Sequence, residues 1–141
     1  ALAATLRLYR DPETVELSLP FLKLIATPIE NLRTRAERLA PQLAALNSVA
    51  AAEPLDDVTY LGGGSVPTQQ IKTCCVAVTP AVGSVSEFAT RLRNGCPAVF
   101  GRVSQDRFLF DLRTVFPHQD ANLIAATDAK STRGSSKDEY D

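Results

Sequence analysis

Few residues of this sequence could perform acid–base, nucleophilic or metal chemistry. The only histidine, His118, stands beside a proline at a predicted helix start, where an exposed surface position is commoner than a catalytic one. The three cysteines are Cys74, Cys75 and Cys96, and their spacing matches neither a disulfide framework nor a metal site. Because Cys74 and Cys75 lie in an apolar, β-prone run, we expect buried and reduced thiols. The sequence therefore predicts no catalytic and no metal-binding residue.

The glycine run Gly62-Gly63-Gly64, followed by Ser65, is the best candidate for binding an anion. Backbone N–H groups of such a run can surround a phosphate or an oxyanion. The run is not a Walker A loop, because no Gly-Lys-Ser/Thr sequence follows it. A conformationally demanding turn near a domain boundary explains the glycines equally well. Gly63, Gly64 and Ser65 are therefore predicted contacts for an anionic substrate, with a structural turn as the alternative.

Two arginines are the remaining candidates, and both lie in one predicted hairpin. Arg102, Asp111 and Arg113 fall on the same face of its two strands, the face that should meet solvent or a partner. One interpretation is a solvated cluster of charges, which contributes little to stability. The other is contact with an anionic substrate at a domain boundary, and the sequence leaves both open.

The hairpin itself spans Ala98–Val115, where two apolar runs flank a polar turn. We take Gln105 and Asp106 as a two-residue loop, although a looser four-residue turn is an alternative because Asn-Gly or Asp-Gly is preferred there. This register places one set of cross-strand pairs towards the helices: Val103–Phe108, Gly101–Phe110 and Val99–Leu112. A slip by one residue would expose both phenylalanines, so the register is well specified.

The other elements follow from capping residues and apolar periodicity. Thr27 and Glu30 form a predicted capping box for a helix that continues past Pro41 to Leu46 and keeps Arg35 off its apolar stripe. The remaining predictions are helices at Ala1–Arg10, Val15–Ala26 (broken at Pro20), Val85–Leu92 (after a Ser84–Glu87 box) and Gln119–Ala126, a connector at Ser48–Pro54, and strands at Val58–Leu61 and Ile71–Thr79. This order predicts an α+β fold, in which a small antiparallel or mixed sheet is covered on one face by helices.

Composition is that of an ordinary globular domain. The chain has 141 residues, 45% of them hydrophobic, and a net charge of −1, which gives no overall attraction to nucleic acid. No apolar run approaches the roughly 20 residues that a membrane span needs. We expect one domain over residues 1–126 and a disordered polar tail over residues 127–141.

Several segments together resemble one family. They are ALAATLRLYRDPE at the start, RAERLAPQLAAL, LGGGSVP and FGRVSQDRFLFDLRTV. The series is similar to the C-terminal part of bacterial selenocysteine synthase, the L-seryl-tRNA(Sec) selenium transferase. The resemblance covers the chain to about Ala126. The family turn often reads Gly-Ser-Gly-Ser-Leu-Pro and the family hairpin tip often carries Asp-Gly, and these departures concern loop geometry only.

The resemblance implies a fold and a reaction. The family has the aspartate-aminotransferase fold and uses pyridoxal 5'-phosphate to convert seryl-tRNA(Sec) to selenocysteinyl-tRNA(Sec) with selenophosphate. None of the four lysines, Lys23, Lys72, Lys130 and Lys137, matches the lysine that carries the cofactor, which precedes this region in the family. The chain therefore resembles the small C-terminal domain of the enzyme, and by itself it should bind no cofactor and be inactive.

The resemblance also implies the partners: the large catalytic domain of the same polypeptide, seryl-tRNA(Sec), and further copies in a cytoplasmic homo-oligomer, with no membrane. The candidates for contact with substrate or tRNA are then Arg113, Arg102, Gly63, Gly64 and Ser65. A free-standing α+β module that binds RNA or a ligand, of the same ancestry, is the alternative. The coding sequence upstream of Ala1 would distinguish the two.

Overall fold

The computed structural model describes residues 2–10, 15, 19–61 and 69–128. Their elements are α1 (Leu2–Leu8), α2 (Pro20–Ala26), α3 (Ile29–Ala44), β1 (Val49–Leu61), β2 (Gln69–Pro80), α4 (Val85–Arg93), β3 (Arg102–Ser104), β4 (Arg107–Asp111), two 3-10 turns (Leu112–Thr114 and Pro117–Gln119) and α5 (Asp120–Asp128). The order of helices and strands confirms the predicted α+β class.

The four strands form one antiparallel sheet in the order β1-β2-β4-β3. Helices cover one of its faces, here called the inner face, and the main core lies between them. Its fully buried large side chains come from α3, α4, β2, β4 and the turn after β4: Leu32, Leu39, Leu43, Leu92, Val76, Val78, Phe108, Phe110 and Leu112. Burial of this apolar surface is the main stabilising contribution to the fold.

The hairpin has the predicted register and the predicted two-residue loop. Val103 pairs with Phe108 across the turn, and Gln105 and Asp106 have φ values of 50° and 55°, both in the left-handed region. Two positive φ values are the signature of a type I′ turn, which fits the twist of a hairpin. Two details were wrong. Residues 98–101 are not in a strand, and the ring beside Gly101 belongs to Phe108 instead of Phe110. Val103, predicted to face the helices, is 51% exposed because it lies in the edge strand β3, all of whose residues are exposed.

The first strand is much longer than predicted. Residues 49–54, expected to belong to a connector, form the first half of β1 and pair with β2 as far as Pro80. Their alanines and proline have low strand propensity, so the pairing with a strongly β-prone neighbour overrides the local preference. Pro54 is tolerated there because β1 is an edge strand.

Helix ends match the prediction at one capping box and contradict it at the other. The Ser84 hydroxyl accepts from the Glu87 N–H (3.2 Å), and the Glu87 carboxylate accepts from the Ser84 N–H (2.7 Å). The box predicted at Thr27 is absent, because the Thr27 hydroxyl donates to the Lys23 carbonyl (2.9 Å) at the end of α2. Pro41 lies inside α3 without ending it.

The C-terminal boundary also lies beyond the predicted one. Helix α5 continues through Thr127, which is fully buried, to Asp128. The Thr127 hydroxyl donates to the Leu123 carbonyl, and the Thr127 carbonyl accepts from the Ser48 hydroxyl (2.7 Å). The tail predicted from residue 127 therefore cannot begin before residue 129, and residues 129–141 lie outside the described part of the chain.

Candidate functional site

The sheet face away from the helices, here called the outer face, carries the polar cluster predicted from the hairpin. Arg102 on β3 reaches across β4 and β2 to Asp57 on β1, with 2.9 Å between its Nη2 and the carboxylate. Arg107 on β4 reaches across β2 to Glu53 on β1 at 2.5 Å. These two ion pairs lie over the small buried residues Cys75 and Ala77. The outer face is therefore mixed and partly charged, as predicted.

Asp111 is the centre of this cluster. Its Oδ1 accepts from the Thr73 hydroxyl (2.5 Å) and from the Arg113 backbone N–H (3.1 Å), and its Oδ2 lies 3.7 Å from the Arg102 guanidinium. Asp111 is buried, whereas the Arg102 side chain is 43% exposed. Of Asp111 and the residues that contact it, Arg102 is therefore the one with a largely exposed charged group.

The cysteine in the cluster is not an activated nucleophile. Burial, and after it the negative charge of Asp111, raise the pKa of the Cys75 thiol to about 12. Burial also raises the pKa of Cys74, which faces the core on the other side of the sheet. Since the thiolate is the reactive form, both residues are inert at neutral pH. The prediction that Cys74 and Cys75 are buried is confirmed.

The exposed position predicted for Arg113 is wrong. Arg113 follows β4 in a 3-10 turn, is only 6% exposed and donates to backbone carbonyls. Its partners are the carbonyls of Lys72 on β2 and of Leu24, Ile25 and Thr27 at the end of α2. The alternation that placed it on the outer face does not apply, because the strand ends at Asp111. Asp111 contacts both arginines, the backbone N–H of Arg113 and the guanidinium of Arg102.

A second buried arginine also departs from its prediction. Arg35, expected off the apolar stripe of α3, is 8% exposed and binds both carboxylate oxygens of Asp120. It also donates to the carbonyls of Leu112 (3.1 Å), Val115 (2.7 Å) and Phe116 (3.1 Å). Arg35 lies three residues after the buried Leu32 and four residues before the buried Leu39. This helical spacing was the signal in the sequence that could have identified Arg35 as a buried position.

A groove of about 370 Å³ opens beside the start of α3. Its charged lining residues are Arg33, Asp56, Asp57 and Lys72. Arg33 donates twice to Asp56, at 3.2 and 2.7 Å, and this hydrogen bond holds the pKa of Asp56 below its usual range. With two carboxylates among its charged groups, the groove is poorly suited to a phosphate.

The described residues do not fit pyridoxal phosphate. Lys23 and Lys72 are exposed, and the groove that Lys72 lines also holds two carboxylates. Gly63, Gly64 and Ser65, the predicted anion-binding run, lie outside the described residues. His118 is exposed and stacks on Phe116.

Over residues 2–10, 15, 19–61 and 69–128, no cluster of three or more His, Cys, Asp or Glu side chains could hold a metal ion. No helix in the same part of the chain has the length and apolar character to cross a membrane.

Comparison with known proteins connects this architecture to one family. The family model SelA, described as L-seryl-tRNA selenium transferase, matches residues 1–116. Proteins named L-seryl-tRNA(Sec) selenium transferase are similar to it: that of Hyphomonas neptunium is 39% identical over 126 residues, that of Nitratidesulfovibrio vulgaris 39% over 116, and that of Moorella thermoacetica 35% over 127. The matches cover 89%, 82% and 89% of this chain, and 27%, 25% and 27% of the relatives. The chain thus spans about a quarter of their length.

Proposed function

Since this chain belongs to the L-seryl-tRNA selenium transferase family, we propose that it acts as one domain of such an enzyme. The observation that carries the proposal is the match over residues 1–116 to a family whose members are about four times as long as the matched region. The described residues supply neither an activated nucleophile nor a place for the cofactor, so the chemistry belongs to the rest of the polypeptide.

The domain proposed is the small C-terminal domain of an enzyme with the aspartate-aminotransferase fold. A single antiparallel sheet with helices on one face supports this assignment, as does the order of its motifs. In the complete enzyme, pyridoxal phosphate bound by the large domain would supply the electron sink for replacing the seryl hydroxyl with selenium from selenophosphate. The small domain would pack against the large domain and complete the substrate site in a cytoplasmic homo-oligomer.

Arg102 is the described residue proposed to contact tRNA or the active-site rim. Its guanidinium is held by Asp57 and lies near Asp111, yet a large fraction of the side chain is exposed. A positioned, exposed arginine is well suited to a phosphate oxygen of RNA. Gly63, Gly64 and Ser65 stay proposed contacts on sequence grounds. Arg113 has its guanidinium occupied by carbonyls, so it acts on such a contact only through the position of neighbouring residues.

The decisive experiment compares the complete protein that contains this chain with the chain alone. The complete protein should convert seryl-tRNA(Sec) to selenocysteinyl-tRNA(Sec) with selenophosphate, and it should show the absorbance of a lysine-bound cofactor. The 141-residue chain should show neither. A stoichiometric, borohydride-reducible adduct on the isolated chain would contradict the proposal. A natural gene product without an upstream cofactor lysine would support the free-standing binding module instead.

The contact proposed for Arg102 has a matched control in Arg107, the other arginine paired with an acid across the outer face. Arg102→Ala should reduce turnover of seryl-tRNA(Sec) in the complete enzyme by about tenfold, the effect of losing one charge-assisted hydrogen bond. Arg107→Ala should leave turnover close to the wild-type rate. Equal turnover in both variants would assign Arg102 to a solvated charge cluster.

A further inference from the structure

Helix α2 has no fully buried residue. Leu22, Leu24 and Ile25 are half-buried, whereas Phe21 is 60% exposed. No residue of α2 belongs to the core under the sheet. A helix of two turns is unstable in water on its own, so polar contacts that add to this partial burial are important for holding it.

The polar contacts of α2 converge on Arg113. Nη1 of Arg113 donates to the carbonyl oxygens of Leu24 (3.2 Å), Ile25 (2.8 Å) and Thr27 (2.9 Å). These carbonyls belong to the last turn of α2 and the residue after it, where carbonyls lack the regular helical N–H partner, although the Thr27 N–H also donates to the Leu24 carbonyl (3.4 Å). A cation is also favoured there by the negative end of the helix dipole.

The same guanidinium is fixed to the sheet. Its Nε and Nη2 donate to the carbonyl of Lys72 on β2, at 3.0 and 2.6 Å, and the Arg113 backbone N–H donates to Asp111. Among the described residues no carboxylate forms an ion pair with this guanidinium, so the backbone carbonyls stabilise the buried charge. One side chain thus joins strand β2 to the end of α2 through two different sides of its planar group.

We infer that Arg113 is a positioning residue that latches α2 onto the sheet. The latch fixes the direction in which the chain before α2 leaves the domain. If the proposed function is right, that chain leads to the large domain, and Arg113 then sets the orientation of the two domains without touching substrate. Lysine cannot replace it, because one ammonium group cannot reach Lys72 and the end of α2 in two opposite directions.

Hydrogen exchange of the complete protein, followed by mass spectrometry of its peptides, tests the latch. In Arg113→Lys, peptides from residues 20–27 should exchange about tenfold faster or more, as expected from losing a charge-assisted hydrogen bond. Peptides from residues 70–79 and from α3 should keep wild-type rates. The matched control is Arg107→Lys, which alters an arginine on β4 whose guanidinium donates to Glu53 on β1.

Two results would overturn the latch. One is an unchanged exchange rate of α2 in Arg113→Lys, and the other is an equal acceleration of α2 and β2, which would indicate general loss of stability. Arg113→Met keeps the aliphatic stem and removes every donor, so it should accelerate exchange in α2 at least as strongly as the lysine variant. The conversion of seryl-tRNA(Sec) by the wild-type protein is measured separately. If the wild-type protein is inactive, the proposed function is refuted, but the exchange rates of α2 still test the latch.

Discussion

Four arginines of this domain have different roles because their guanidinium groups bind different partners. Arg102 and Arg107 pair with carboxylates on the outer face and stay partly exposed. Arg35 and Arg113 are buried and donate to several backbone carbonyls each. A planar group with five donors can satisfy carbonyls from two chain segments at once. At the scale of the residue, the buried pair therefore holds segments together, and Arg102 is the one suited to an external ligand.

Gly101 provides a test of close packing at the residue scale. A Cβ on Gly101 would overlap the Phe108 ring and lie 2.7 Å from the Leu109 carbonyl oxygen. Gly101→Ala should therefore lower the free energy of unfolding by about 1–3 kcal/mol, the usual cost of overpacking. Gly95→Ala is the matched control, since its nearest contact would be 3.4 Å. Chemical denaturation measures both, and equal stabilities would show that the ring moves away freely.

Neither buried arginine could be assigned from the sequence. The partners of Arg113 are carbonyls, which every residue has, and Asp120 lies 85 residues from Arg35 along the chain. Side-chain alternation and helical periodicity describe faces of single elements, so they contain no information about which distant segment approaches. Exposure of Arg102 was predictable, because the alternation of the hairpin extends through that residue.

At the scale of elements, the hairpin was predictable and the edge strand was not. Phe108 and Phe110 lie on one face of β4, and a slip by one residue would move both away from the core, so one register was strongly preferred. The first half of β1 has no such pattern, because Ala50, Ala51 and Ala52 have no large side chain to bury. Its structure comes from pairing with β2, which is a long-range effect.

The capping box of α4 predicts a dependence of stability on pH. Hydrogen bonds from the Ser84 backbone N–H, and then from its hydroxyl, lower the pKa of Glu87. A lowered folded-state pKa stabilises the fold above the unfolded pKa, and this contribution disappears as the pH falls through the folded value. Chemical denaturation between pH 7 and pH 3 measures this dependence. At pH 7 the free energy of unfolding should be larger for wild type than for Glu87→Gln, and this difference should shrink below about pH 4.5. In a Ser84→Ala background the difference should be smaller, and a difference independent of pH would contradict this account.

The contact between α3 and α5 depends on a buried ion pair. Asp120 accepts from Arg35 at 3.0 and 3.2 Å and from Arg38 at 2.5 Å. Asp120→Asn removes the charge and leaves a buried guanidinium without its counter-ion, which should lower the free energy of unfolding by about 3–5 kcal/mol. The control is Asp56→Asn, which breaks the exposed pair with Arg33 and should change stability far less. Denaturation curves that coincide for the two variants would contradict the structural role of Asp120.

At the scale of the whole molecule, the two ends of the described chain differ in how they are held. Helix α5 is attached by Asp120 and by the buried Thr127. Helices α1 and α2 present apolar side chains to the outside, with Leu2 72%, Leu6 57% and Phe21 60% exposed. Large exposed apolar side chains of this kind are common at interfaces. They support the proposal that a large domain packs against α1 and α2 in the complete enzyme.

The same surface predicts how the 141-residue chain behaves when it is prepared alone. Without a large domain, the exposed side chains of α1 and α2 should drive weak self-association, because burying them against a second copy removes apolar area from water. Sedimentation velocity should show an average mass that rises with concentration, and the double variant Leu6→Glu, Phe21→Glu should remain monomeric. Val82→Glu is the control: Val82 is 88% exposed in the turn after β2, and its replacement should leave the association unchanged. A wild-type chain that stays monomeric throughout, or a Val82 variant that dissociates as fully as the double variant, would show that α1 and α2 do not form the interface.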